Sequence, residues 1–139
     1  MRYAAFLSYS RQASGQLARD LQYALQRFAK NWNQLRAISV FRDDSNLSAN
    51  PNLWGSIVAA MEESQWLILL ATPEAATSPY VNDELAWWIA NRGPGSVLVA
   101  HCGGSISWDR ERGGYSADTD CIPPALRTAS TVEPRWIDL

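Results

Sequence analysis

One lysine, one histidine and two cysteines are all that this 139-residue chain contains of those three types. Cys102 and Cys121 stand in no CxxC or other metal-ligand spacing, so no metal site is expected, and two free thiols in a reducing compartment are. Lys30 is the lone lysine and the arginines are scattered. With a net charge of −2 and a pI near 5.3, the chain offers no clustered basic surface for nucleic acid. No apolar run approaches the ~18 residues of a membrane-spanning helix. The N-terminus, "MRYAAFLSYS", turns polar too soon for a secretory signal. A cytoplasmic protein bound to neither membrane nor nucleic acid is the expectation. Also missing are GxGxxG after the first apolar run, GxxxxGK[ST], and a GxSxG elbow, which excludes the usual dinucleotide, P-loop and hydrolase signatures. His101 follows an apolar run and reads as a strand-end residue rather than a ligand.

What is present is a 47% apolar composition, ample for one domain with a real core, expected over residues 1–139. Short apolar runs alternate with helical periodicity. "YAAFLS" (3–8), "AISVF" (37–41), "WLILLA" (66–71), "SVLVA" (96–100) and "RWIDL" (135–139) read as strands. Leu17, Leu21, Leu25 and Phe28 recur at helical spacing between the first two. Leu53, Trp54, Ile57, Val58 and Met61 mark the core face of a second helix, and Val81, Leu85, Trp88 and Ile89 that of a third, ending near "RGPG". Such alternation predicts an α/β flavodoxin-like sandwich: a five-stranded parallel sheet in the order 2-1-3-4-5, with helices on both faces. The segment 102–127 is longer than ordinary connections, with Trp108 and Tyr115 as its anchors and "PPALR" as the start of a short helix.

In sheets of this kind ligands bind beyond the carboxyl ends of the strands, where the strand order reverses between the first and third strands. Ser8, Tyr9, Ser10 and Arg11 leave the first strand there, and Phe41, Arg42 and Asp43 leave the second. A phosphoacceptor domain of this topology needs acids at those ends, where this chain has Ser8-Tyr9 and Thr72. "SPYVNDELAWW" (78–88) starts a helix near the same crevice, with Glu84 one turn after Tyr80 and one turn before Trp88. Asp83 reads as a first-turn acid facing the helix dipole. Glu84 has two readings: a solvent-edge acid paired with Arg92 or another arginine, or an acid working in the crevice. Trp87 and Trp88 are taken as packing or assembly residues, Trp54 as core. The "RDD" arginine stands between a loop salt bridge and substrate contact.

"AFLSYSR" (5–11), "FRDDSNLSANPNLWGSI" (41–57) and "SPYVNDELAWW" (78–88) resemble, in order and spacing, the successive sequence boxes of Toll/interleukin-receptor (TIR) domains. The later "SWDRERGGY", "CIPPALR" and "EPRWIDL" are similar to a bacterial branch in which such a domain opens a longer protein. The likeness covers nearly the whole chain. It implies a choice between domains that hydrolyse NAD+ at the nicotinamide–ribose bond and domains that only assemble. In the enzymes the acid in the helix after the third strand is catalytic, which matches Glu84. Tyr80 stands where those enzymes often have Trp. The resemblance also assigns substrate contact to Phe6, Ser8, Tyr9, Ser10, Arg11, Phe41, Arg42, Asp43 and Leu47, the last within a loop (42–52) that covers substrate or touches a neighbouring subunit.

The implied chemistry suits a single carboxylate. Nicotinamide leaves a cationic precursor without needing an acid, while positive charge grows on the ribose. A carboxylate beside that sugar stabilises the charge, and aromatic walls exclude water. No metal or cofactor is called for, NAD+ being the substrate. Products would be nicotinamide with ADP-ribose or a cyclic ADP-ribose. The resemblance further implies activation by self-association into oligomers or filaments, a covalently linked C-terminal sensor domain, and a setting in antiviral (anti-phage) defence. The alternatives are a non-catalytic homotypic signalling module and another N-ribosyl enzyme, such as a nucleoside deoxyribosyltransferase-like fold.

Overall fold

In the computed structural model residues 3–10, 19, 40–42, 53–129 and 136–138 are described. Of the predicted helix carrying Leu17 to Phe28 only Arg19, which is helical, is among them. Strand β1 spans Tyr3–Ser8, β2 Val40–Arg42 and β3 Ser64–Ala71. Strand β4 is Val97–His101 and β7 is Trp136–Asp138. These five form one all-parallel sheet in the order β2-β1-β3-β4-β7. That is the expected 2-1-3-4-5 arrangement, with "RWIDL" supplying the fifth position.

β3 is central because its side chains are apolar on both faces, as a doubly covered parallel strand requires. Leu67, Leu69 and Ala71 join the larger core with Phe6, Ile57, Met61, Val81, Leu85 and Trp88, while Leu70 meets Leu7, Tyr9 and Ala100 on the other face. The strand begins two residues before the apolar run. Ser64 is drawn in by its hydroxyl, which donates to the Ala60 carbonyl at 2.7 Å and joins the strand to helix α1, Leu53–Glu62. α1 buries Ile57, Ala60 and Met61, but its first turn, Trp54 to Ser56, is exposed. Trp54 is therefore not the core residue its spacing suggests: it is 42% exposed.

After β3 the chain uses one local signal twice. Thr72 caps helix α2, Pro73–Thr77, by accepting from the Ala75 amide at 3.1 Å, with proline in the first turn. α2 was not anticipated, although "TPE" carries its cap, proline and first-turn acid. It stops after five residues because Ser78, preceding Pro79, is held extended at φ −77°, ψ 120°. Ser78 then caps helix α3, Pro79–Arg92. With the start fixed there, Asp83 falls beyond the first turn, so the dipole role expected of it does not hold.

The long segment 102–127 is a structured insertion. Trp108–Asp109 (β5) and Gly114–Tyr115 (β6) pair antiparallel, and the Trp108 and Tyr115 rings meet edge to face at 5.2 Å. From helix α4, Pro124–Ala129, Arg127 donates to the carbonyls of Thr119 and Ser116 at 2.7 and 2.6 Å, closing the insertion against the helix. Both cysteines are free, as expected.

Two glycines make opposite predictions. Gly104 sits at φ +79°, and an added Cβ would lie 2.5 Å from Asp120 Oδ1 and 2.9 Å from Pro73 Cγ. Gly55 lies in α1 with nothing within 4 Å of its Cβ position. Urea unfolding should show Gly104→Ala destabilising by about 1–3 kcal/mol. Gly55→Ala should stabilise by about 0.5–1 kcal/mol.

Candidate active site

Helix α3 buries Val81, Glu84, Leu85 and Trp88. These are positions i, i+3, i+4 and i+7, so helical geometry puts the carboxyl in the stripe that faces the sheet. Glu84 is 1% exposed, as deeply buried as Val81. Transferring such a group from water is costly unless it is hydrogen-bonded. Its Oε1 accepts a bond from the Ser8 hydroxyl at 2.8 Å. Ser8 is the last residue of β1 and stands opposite Leu69 of β3, so the acid reaches the carboxyl end of β1, at the switch point.

The solvent-edge pairing with Arg92 is not what the structure has. Arg92 lies 4.4 Å over the Trp88 ring, and its guanidinium donates to the carbonyls of Met61, Ser64 and Gln65. Ser64 opens β3, so this anchor grips the opposite end of the sheet from Ser8. Trp88 is fully buried and donates from its indole nitrogen to Ser96 Oγ at 2.9 Å. It packs, as expected; Trp87 is half-buried against the same core.

Around Glu84 the other expected site residues separate. Phe6 and Ser8 are completely buried and Tyr9 nearly so; Ser10 is half-buried. Phe6 belongs to the main core. Tyr80, one turn before Glu84, is half exposed, at 50%. Phe41 and Arg42 lie in β2, where the backbone pairs Phe41 with Phe6 and Arg42 with Leu7. Arg11, Asp43 and Leu47 fall outside the described residues. The Ser8–Glu84 bond escaped sequence reasoning, because its partners are 76 residues apart and leave no local pattern.

Elsewhere on the carboxyl rim, His101 ends β4. Its Nδ1 lies 2.7 Å from Asp138 Oδ1 of β7 and its Nε2 2.8 Å from the Gly104 carbonyl. Both nitrogens lie within hydrogen-bond distance of acceptors, an arrangement that favours the protonated ring. The Asp138 hydrogen bond, foremost, raises its pKa above the ordinary 6.5. Burial pushes both thiols up, Cys121 to about 11, so neither is a ready nucleophile. Among the described residues no group of three or more His, Cys, Asp or Glu side chains is placed to hold a metal ion. Among them, too, no helix is long and apolar enough to cross a membrane.

A doubly wound parallel sheet with a buried acid brought to its switch point is the class of domain defined so far. No family profile matches the chain. Over 72% of its length it superposes on 57% of a chain from the TIR domains of the activated Roq1 resistosome that directly recognises the pathogen effector XopQ. The TM-score is 0.53 at 18% identity, which shows the fold. The chain is also 42% identical, over 140 aligned residues, to NAD(+) hydrolase ApTIR of an Actinoplanes species. All of this chain is covered in that alignment, but it spans only 19% of the length of that relative. The chain belongs to the TIR-domain family.

His101 is the only histidine, so one titration reads it without ambiguity. Its folded pKa lies above the unfolded value of 6.5, so its stabilising contribution is complete below that pH and is lost as pH rises through the folded value. NMR should place the imidazole midpoint above 6.5, with Asp138→Asn lowering it. A midpoint below 6.5 in the wild type would contradict the clasp.

Proposed function

We propose that this chain is an NAD+ nucleosidase domain that cleaves the nicotinamide–ribose bond, with Glu84 as its catalytic residue. The observation that carries the reading is the Glu84 carboxyl, turned inward by α3 onto the end of β1 at the switch point. Likeness to ApTIR, a protein named for NAD(+) hydrolysis, supports the substrate. The acid stands beside the ribose as its C–N bond breaks, balances the positive charge that grows there, and holds a hydroxyl or the incoming water. The leaving group departs as neutral nicotinamide and asks no proton of the protein. Tyr80, exposed one turn away, supplies an aromatic surface to the departing ring.

At 1% exposure Glu84 is closed off from a ligand, so the crevice must open before NAD+ reaches it. That requirement fits an enzyme that is slow alone and switched on by self-association. A covalently linked sensor region that drives clustering, a cytoplasmic location and a role in anti-phage defence complete the proposal. The sensor region and the defence role rest on the family resemblance.

The same enclosure favours a second reading, a non-catalytic assembly module that uses α3 and the exposed Tyr80 and Trp54 for contact. Nicotinamide release by dilute and by enforced-cluster protein decides between them. Clustered wild type should turn over NAD+, and Glu84→Gln should lower the rate by about 100-fold or more while thermal unfolding is preserved. Clusters that release no nicotinamide leave only the assembly module.

A further inference from the structure

Ser8 was expected among the substrate contacts, yet its side chain is completely buried and its hydroxyl is directed at the acid. We propose that Ser8 is the positioning residue for Glu84, donating its hydroxyl hydrogen to Oε1 so that the carboxylate is held in one orientation at the end of β1. This deepens the NAD+-cleaving reading and rests on it.

Three observations converge. Glu84 has several rotatable bonds, and a carboxylate that stabilises a growing charge is effective only when its direction is set beforehand. The donor sits on the most rigid support available. Ser8 ends a strand paired on both sides, with its neighbour Leu7 opposite Arg42 of β2 and Ser8 itself opposite Leu69 of β3. Both partners are also shielded from solvent, at 0% and 1% exposure, where a hydroxyl-to-carboxylate bond is short and little weakened by water. An ionised carboxylate only accepts, so the proton in this bond is the serine's, and Ser8 supports the charged form that the chemistry uses. No hydroxyl surface remains for a ligand.

The test is kinetic, on the chain forced to cluster, with NAD+ as substrate and nicotinamide as readout. Ser8→Ala should lower kcat by about 10-fold or more while KM stays within about 2-fold, because the group lost touches the acid and not the substrate. Ser8→Thr, which keeps a hydroxyl on a strand-compatible side chain, should restore most of the rate. If threonine is not accommodated, Ser8→Cys, a weaker donor of similar size, should fall between serine and alanine. In a Glu84→Gln background, Ser8→Ala should cost nothing further. Thermal unfolding of each variant separates lost positioning from lost fold. An unchanged kcat in Ser8→Ala overturns the inference, and so does a raised KM with kcat kept, which would return Ser8 to substrate binding. A cluster in which wild type is active, Glu84→Gln is dead and Ser8→Ala is unaffected defeats this inference alone. A wild type that releases no nicotinamide defeats the NAD+ reading and this one together.

Discussion

A hydrogen bond between an acid on a helix and a hydroxyl on a strand is the constraint around which this domain is arranged. Glu84 occupies a core position of α3, where an apolar side chain would pack without penalty. Keeping a carboxyl there is costly, and the end of β1 offsets part of that cost through Ser8, which donates to Oε1. The rest of α3 is apolar on that face, so the helix holds its place by ordinary burial while one residue does something else. Local rules broken at one position and obeyed around it mark the functional place in a fold.

The two ends of α3 are secured by different means. Near the start stand the Ser78 cap and the inward acid. Near the end, Arg92 lies over Trp88 and binds carbonyls where α1 gives way to β3. Together they tie the helix to both ends of the sheet, and the insertion braced by Arg127 rests on α4, whose Ala125 amide donates to Asn82 of α3 at 2.8 Å. The acid is thus presented on a braced element rather than a loop, as the role proposed for Glu84 requires.

Much of this was legible from residue order. The sheet order followed from alternating apolar runs and helical spacing, and the switch point followed from the order. The Trp108 and Tyr115 anchors were readable because two aromatics in a polar stretch have few other uses. Strand limits were less so: Ser64 joins β3 through its bond to α1, which no apolar pattern records. Trp54 misled because its spacing matches a core stripe while the first turn of α1 lies beyond the packed surface. For the site, the resemblance singled out Glu84 and helical phase turned it inward, but its partner became visible only when two distant segments were brought together. Phe6 shows the converse: a residue near the crevice in sequence is, in space, part of the main core.

The proline following Ser78 acts as a counting mark. Because the residue before it cannot join α2, α3 always begins its winding at the same place, and each later side chain inherits its angle from that origin. One residue added or lost between Pro79 and Glu84 would turn the carboxyl by about 100° around the helix axis. The acid would then face away from β1, and its place would be taken by Leu85 after a deletion or by the shorter Asp83 after an insertion. The spacing from proline to glutamate is thus as strict a requirement as the glutamate itself.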